Sequence, residues 1–592
     1  MPIFTQAMRR VSLYALAAAS FLPTGGNAFG QLPVLGNPAE EWLDLVDYTK
    51  LEDILFGSAP TGAGVTIGQV EAASGPSFVN FYPDTSSAEF DAASDPSGTG
   101  VTFINGSQSA RPNPTTSSHA TTTVGRNLYG NTTGAAKESN VVVVYEANDY
   151  LNNQLRAPTG SDPRKPEYED PAEGEFLPLK VINHSWAGDF GSNTNNRRTL
   201  VRLDYVIDRY DVTMAVGVSV NGDTDPATTT KPPHPEISPL LGQSYNAIAV
   251  GGPQGLHSIE PTESYYGGGR TKPDIVAGGF TVSSNTAMVS SVASVLHEVV
   301  AGTDAAKSET MKAILLAGAT KEQYFETFVD PDSGLVDPWE RTPSQPLDNI
   351  FGAGQLNAFN SYVMTEGGQF TGSTGAAGSP IANHGWDYQS EITPTDDVKY
   401  EFTIPEGKHA AEVSIVLAWN YEVTDINPGN AFSPSESFAN LDLELLDSDG
   451  GLIDHSVSVV DNVEHVYVTG LSPGTYTFQV STDAARDYGI AWRINTAFDQ
   501  ESADFDGDGD VDSADLLVWQ RGYGTLVGAQ HSDGDADGDG DVDEDDRVFL
   551  DSQFGLVLGT LDAIAATIPE PTGATLLGGV LFYLIGSRGR RR

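Results

Sequence analysis

Apolar and polar positions follow two rhythms along the chain, with a change near residue 365. Before it, short runs carry almost no charge: Gly64-Val65-Thr66-Ile67-Gly68-Gln69-Val70-Glu71, Val141 to Tyr145, Leu179 to Asn183, Val212 to Val218 and Ala247 to Val250. Near-continuous β-branched runs of this kind predict strands buried on both faces. Helical patterns fall between and after them, at Asp204 to Arg209, Val289 to Leu296 and Lys307 to Thr320. Strands alternating with helices predict a parallel sheet covered by helices, an α/β fold. A short amphipathic helix is expected around Glu40 to Phe56, within a linker over 29–56. Residues 150–178 are polar and Pro-rich and read as a surface loop.

After the change the period is two. Val398 to Phe402, Glu412 to Trp419, Leu441 to Leu446, His465 to Val468 and Thr475 to Val480 alternate, with turn signals such as Asp449-Gly450 and Pro473-Gly474 between them. This predicts an all-β sandwich over 365–498.

An internal repeat follows. Asp504-Phe505-Asp506-Gly507-Asp508-Gly509-Asp510-Val511-Asp512-Ser513-Ala514-Asp515 recurs as Asp535-Ala536-Asp537-Gly538-Asp539-Gly540-Asp541-Val542-Asp543-Glu544-Asp545-Asp546. Each copy precedes a short helical run, Leu516 to Arg521 and Arg547 to Gln553. Acids at loop positions 1, 3, 5, 9 and 12, with the carbonyl of position 7 and a glycine at position 6, make an all-oxygen cage for a hard cation, Ca²⁺ above all. The expected metal residues are therefore Asp504, Asp506, Asp508, Asp510, Asp512 and Asp515, and Asp535, Asp537, Asp539, Asp541, Asp543 and Asp546. With aspartate at position 12 and one helix after each loop, residues 502–555 resemble a type I dockerin. That resemblance implies a small helical, EF-hand-like fold on calcium and a cohesin-like partner.

Composition narrows the partners. The 592 residues hold 80 acids and 31 bases, a formal charge of −49. Bulk charge of that sign excludes nucleic acid and anionic lipid as electrostatic partners. No cysteine is present, so disulfides and thiolate chemistry are excluded. At the N-terminus, Arg9-Arg10, the apolar run Val11 to Leu22 and the small residues Gly26 and Ala28 read as a signal peptide over 1–28, hence export. At the other end, Pro569-Glu570-Pro571 leads into an apolar stretch, Gly573 to Gly586, and then four arginines. The stretch is shorter than the roughly 20 residues that span a bilayer. The three-part tail over 568–592 resembles the PEP-CTERM sorting signal. It implies transient inner-membrane contact and delivery to the cell envelope, cell surface or extracellular space.

The candidate chemistry lies in the α/β part. Thr281 to Met288 is small and polar and runs into the apolar helix that begins at Val289, so a serine there stands near unpaired backbone N–H groups and the positive end of a helix dipole. A serine nucleophile needs a histidine base, an acid to fix the imidazole, and donors for the oxyanion. His119 in Ser118-His119-Ala120-Thr121, Glu71 at the end of the first strand and Asn221 in Val220-Asn221-Gly222 supply those types.

In the order acid, His, Asn, Ser, these stretches resemble the subtilase family of serine proteases over about residues 55–362 of an expected 57–362 domain. His119-Ala120-Thr121 is similar to that family's His-Gly-Thr motif, Val181 to Gly188 to its cleft strand, Lys272 to Ala277 to the approach to its serine, and Gly352 to Ala358 to its closing segment. The resemblance implies a serine endopeptidase with Glu71, His119, Asn221 and Ser284 as catalytic residues. It also implies that Ser185, Trp186 and Ala187 bind an extended peptide or protein substrate. Glu71 stands where the family has aspartate, Val282-Ser283 where it has Gly-Thr, and Met288 where it has proline. Ser283 competes with Ser284 as nucleophile, and the register favours Ser284. The alternative is a catalytically degenerate scaffold acting as a surface binding or assembly protein through its dockerin-like and sandwich regions.

Overall fold

The computed structural model describes residues 41–74, 78–90, 100–156, 162–169, 174–218, 240–253, 257, 261–279, 281–321, 339–405, 408–428, 430–498, 502–525, 529–536 and 542–555. The expected signal peptide, sorting tail, Asn221, Asp537, Asp539 and Asp541 lie outside them.

Seven strands form one sheet: β1 (Thr66–Glu71), β2 (Thr102–Asn105), β3 (Val141–Glu146), β4 (Val181–His184), β5 (Thr213–Gly217), β6 (Ile248–Gly251) and β7 (Ile275–Val276). Their order is β7-β6-β5-β4-β1-β3-β2, and every pairing is parallel. The runs read as buried on both faces are so: all four residues of β4 and all five of β5 are buried. Helix α1 (Asn193–Tyr210), helix α2 (Val282–Val299) and helix α3 (Ser308–Gly318) supply the covering layers. The order reverses at β1, since β3 and β2 lie on one side and β4 onward on the other. In open parallel sheets the crevice beyond the carboxyl ends of the strands at such a point is where ligands sit. Glu71 ends β1 and Ser185 follows β4 at that point, with Val70 paired to His184.

Two expectations about this part change. The helix expected over Glu40 to Phe56 is two, Glu41–Leu45 and Tyr48–Ile54, because Asp47 adopts a left-handed backbone (φ 55°) that lets Trp42, Val46 and Tyr48 all face the core. The described residues within 150–178 form more than a surface loop. Tyr150–Leu155 is helical, Glu167–Glu169 pairs with Phe176–Pro178, and Tyr150, Leu151, Leu155 and Tyr168 are buried.

From Ser379 to Phe498 the described residues are all-β. One sheet has five strands and another four. The longest strands, Lys408–Ala418 and Arg486–Phe498, pair antiparallel in the smaller one. Side chains of both sheets, among them Tyr400, Phe402, Trp419, Phe478 and Trp492, share one core. Helix α3 lies against the smaller sheet so closely that a Cβ on Gly489 would sit 2.4 Å from Thr310 Cα. In the acidic repeat the helices are Ser513–Gly522 and Glu544–Gln553, longer than expected at their starts. The first starts early because Asp512 caps it, accepting from Ala514 N, while Asp515 accepts from Asp512 N (2.8 Å). Among the described residues no helix is long and apolar enough to cross a membrane.

Candidate active site

The acid and the histidine meet at the switch point. Glu71 is 1% exposed, and its Oε2 lies 2.7 Å from His119 Nδ1. A carboxylate there requires the proton on Nδ1 and leaves Nε2 free to accept. The His119 ring is partly exposed while its partner is buried. Its pKa is raised, first by the hydrogen bond to Glu71, with burial opposing.

Glutamate reaches the imidazole because its other oxygen is held. Gln69 Nε2 donates to Glu71 Oε1 (2.7 Å) and to Ala120 O (3.0 Å). The Tyr129 hydroxyl donates to Gln69 Oε1. His119 opens a wide π-helical turn, His119–Gly125, that continues as Arg126–Tyr129. One helical segment thus carries the histidine at its start and the tyrosine that braces its acid at its end. Gln69 and Tyr129 were not singled out from the sequence. The one available signal was a glutamine inside an otherwise apolar strand.

The two serines lie in the first turn of α2 and differ in surroundings. Ser284 is 8% exposed. Its hydroxyl donates to Thr281 O (2.8 Å) and lies 2.9 Å from Thr281 Oγ1, while its N–H donates to Thr281 Oγ1 (3.1 Å). Thr281 and Ser284 form a reciprocal cap of the helix. Among the described residues Ser284 Oγ bonds only Thr281, and no hydrogen bond joins it to His119. Ser283 is half-buried, and its hydroxyl donates to Ser185 O (3.2 Å). In return Ser185 Oγ donates to Ser283 O (2.8 Å) and accepts from Asn183 Nδ2 (2.9 Å). The carboxyl end of β4 and the first turn of α2 are therefore stitched together. Ser185 is buried in this seam, Trp186 is half-buried and Ala187 is exposed.

Asn285 is a further residue that sequence reasoning passed over. It is fully buried, and its Nδ2 donates to Gly251 O (3.0 Å), tying α2 to β6. A Cβ on Gly279 would lie 2.4 Å from Asn285 Oδ1 and 2.9 Å from Ser284 Oγ, so the loop into α2 needs glycine there.

In the acidic repeat, Asp504, Asp506 and Asp508 bring carboxylate oxygens within 4.8 Å of one another, as do Asp510, Asp512 and Asp515. Asp510 Oδ1 is buried with no hydrogen-bond partner among the described residues. Burial and the neighbouring carboxylates raise the pKa of Asp510. An orphaned buried oxygen among crowded acids fits a hard cation.

No protein-family model matches the chain, and no curated protein matches it. Solved structures give weak likenesses. MycP1 with its N-terminal propeptide removed is 12% identical, with TM-score 0.28, over 54% of this chain and 95% of that one. MycP3 protease from the type VII (ESX-3) secretion system is 13% identical, with TM-score 0.26, over 56% and 90%. A protease from Pseudoalteromonas arctica is 14% identical, with TM-score 0.27, over 55% and 98%. Likenesses this weak do not define the family of the chain, and its chemistry rests on its own side chains.

Proposed function

We propose that the chain is an exported, subtilase-like serine endopeptidase. The observation that carries this reading is the buried Glu71 bonded to the partly exposed His119 at the sheet's switch point, together with a helix whose first turn holds two serines. Neutral His119 takes the serine proton at Nε2 as the serine oxygen attacks a peptide carbonyl, and later returns it to the leaving amine. Glu71 fixes the tautomer and stabilises the imidazolium. Asn221 and a backbone N–H at the α2 N-terminus hold the oxyanion, where loss of one donor typically costs about 10²–10³ in rate. Trp186 and Ala187 line the extended substrate, and Ser185 holds that segment to α2. The repeat over 502–555 binds Ca²⁺ in the manner of a dockerin and offers its helices to a cohesin-like partner. The tail over 568–592 gives transient membrane contact during delivery to the cell surface.

The first turn of α2 must rearrange for attack. Freeing Ser284 from Thr281, or Ser283 from Ser185, gives up hydrogen bonds worth about 1 kcal/mol each. That is small against the ~8–23 kcal/mol by which enzymes lower barriers. The engagement of Ser284 with Thr281 nevertheless favours a second reading, a scaffold that binds through its β and repeat regions without catalysis.

Labelling the full chain with a serine-directed fluorophosphonate separates the two. Labelling lost in His119→Ala and Ser284→Ala but kept in Ser283→Ala assigns the nucleophile to Ser284. Loss in Ser283→Ala alone assigns it to Ser283. A folded, unlabelled wild type returns the scaffold reading.

A further inference from the structure

Two amides share one rung of the parallel sheet. Gln69 of β1 and Asn183 of β4 are register partners, and both are fully buried. Register partners project from the same face of a sheet, and so do residues two apart on one strand. Each amide reaches the residue two further along its own strand. Gln69 Nε2 donates to Glu71 Oε1 (2.7 Å), and Asn183 Nδ2 donates to Ser185 Oγ (2.9 Å). Glu71 then holds His119 (2.7 Å), and Ser185 Oγ donates to Ser283 O in the first turn of α2 (2.8 Å). The rung thus branches to the acid and the histidine on one side and to the two serines on the other.

Asn183 holds α2 at a second point. Its Oδ1 accepts from Ser290 Oγ (3.1 Å), and Ser290 is fully buried. Ser283 and Ser290 are seven residues apart, about two helical turns, so both lie on the side of α2 that faces β4. The protons run one way along this chain: from Ser290 to Asn183, from Asn183 to Ser185, and from Ser185 to Ser283 O. A serine hydroxyl has a single proton. Because Ser185 accepts from Asn183, its own proton is committed to Ser283 O. An amide buried this deeply is unfavourable unless it is bonded, and both ends of this one join β4 to α2.

We propose that Asn183 is a positioning residue for the nucleophile. Through Ser185 and Ser290 it fixes where the first turn of α2 stands relative to Glu71 and His119. It touches no reacting atom. Two anchors two turns apart stop α2 from turning about its axis or sliding along it, and a misplacement of about 1 Å at reacting atoms can cost about 10²-fold in rate. The proposal rests on the peptidase reading above and adds the part of the fold that aligns its serine with its base.

The test is the rate of fluorophosphonate labelling of the full chain against reagent concentration, which gives kinact and KI. Asn183→Leu is expected to lower kinact about 10–100-fold and to leave KI unchanged. Ser185→Ala should lower kinact as well. The loss in Asn183→Leu/Ser185→Ala should fall short of the product of the two, since both act through the bond to Ser283. A merely structural Asn183 lowers the melting temperature and leaves kinact of the folded variant at the wild-type value. That outcome, or losses that multiply, overturns the proposal and leaves the peptidase reading standing. If Asn183→Leu does not fold, Ser290→Ala, which releases the other end of the amide, takes its place with the same expectations. If the folded wild type does not label, the peptidase reading falls, and hydrogen exchange decides the positioning alone. The amides of Ser284 to Thr286 should then exchange about tenfold faster in the variant, with those of α3 unchanged. Equal exchange overturns the proposal.

Discussion

Glu71 Oε2 stands 2.7 Å from His119 Nδ1, and Gln69 holds the other oxygen of the same carboxylate. A carboxylate fixed at both oxygens can hold the ring in one tautomer, which is what a base at Nε2 needs. The pKa of His119 is raised, chiefly by this bond. Only neutral histidine accepts the serine proton, so activity should rise with pH through the His119 pKa.

Glu71→Gln removes the charge and keeps the shape. The acid limb of kcat/KM should move to lower pH, because the imidazolium loses its stabilising partner. The plateau should fall by about 10²–10⁴, since an amide can hold the wrong tautomer. The check is a pH–rate profile of both proteins, begun once the wild type labels with fluorophosphonate. An unchanged plateau would mean that Glu71 is structural and that another acid, or none, serves His119.

The parallel sheet was legible because strands buried on both faces leave long apolar runs, as in Val141–Glu146. Its edge strand, Thr102–Asn105, was not: none of its four residues is fully buried, so no pattern marks it. The meeting of Glu71 with His119 requires only chain order and strand ends, which sequence carries. The bracing of Glu71 by Gln69 and Tyr129 requires a contact across 60 residues, which sequence does not print. The cap between Thr281 and Ser284 was equally hidden. A serine at a helix start reads the same whether it caps or reacts, and only its partners separate the two.

Calcium should order the acidic repeat. Asp504 Oδ1 already accepts from Gly507 N (2.8 Å) and Asp508 N (3.1 Å), and Asp515 from Phe505 N (2.6 Å) and Asp512 N (2.8 Å). Asp546 does the same for Ala536 N and Asp543 N, both at 2.7 Å. The backbone is thus wrapped around the carboxylates, whose mutual repulsion a cation would cancel. Titration calorimetry of the full chain should give two Ca²⁺ sites. Asp506→Asn should weaken one of them by more than the roughly 10–100-fold that loss of a supporting partner costs. Chelation should lower the melting temperature of the Trp519 cluster, followed by its fluorescence. Absence of heat with Ca²⁺, and of any response to chelator, would remove the metal from the proposed function.

The seam between α3 and the all-β region should weaken as pH rises. Glu309, in the first turn of α3, is buried there, and its Oε2 accepts from Ser308 Oγ (3.0 Å) and Asn420 Nδ2 (2.9 Å). Burial first, and then Asp487, pushes its pKa up to about 8. Asp208, facing Asp487, Glu422, Arg486 and Asp211, is pushed up to about 7, again mainly by burial. Lys307 offsets only part of this, because it is paired with Asp211 (3.1 Å) and Glu309 attracts it less strongly. A carboxyl whose folded pKa lies above its ordinary value contributes stability that is complete below that ordinary value. The contribution is lost as pH climbs through the folded pKa, at up to about 1.4 kcal/mol per unit for each group. The window is therefore from the ordinary carboxylate range to about pH 8 for Glu309. Glu309→Gln keeps an acceptor for Ser308 and Asn420 and cannot ionise. Urea unfolding across this range, at fixed calcium, should show wild type losing stability more steeply than Glu309→Gln, with the variant the more stable at the alkaline end. Equal slopes would mean that the seam admits water or a cation to Glu309 and that its burial carries no pH dependence.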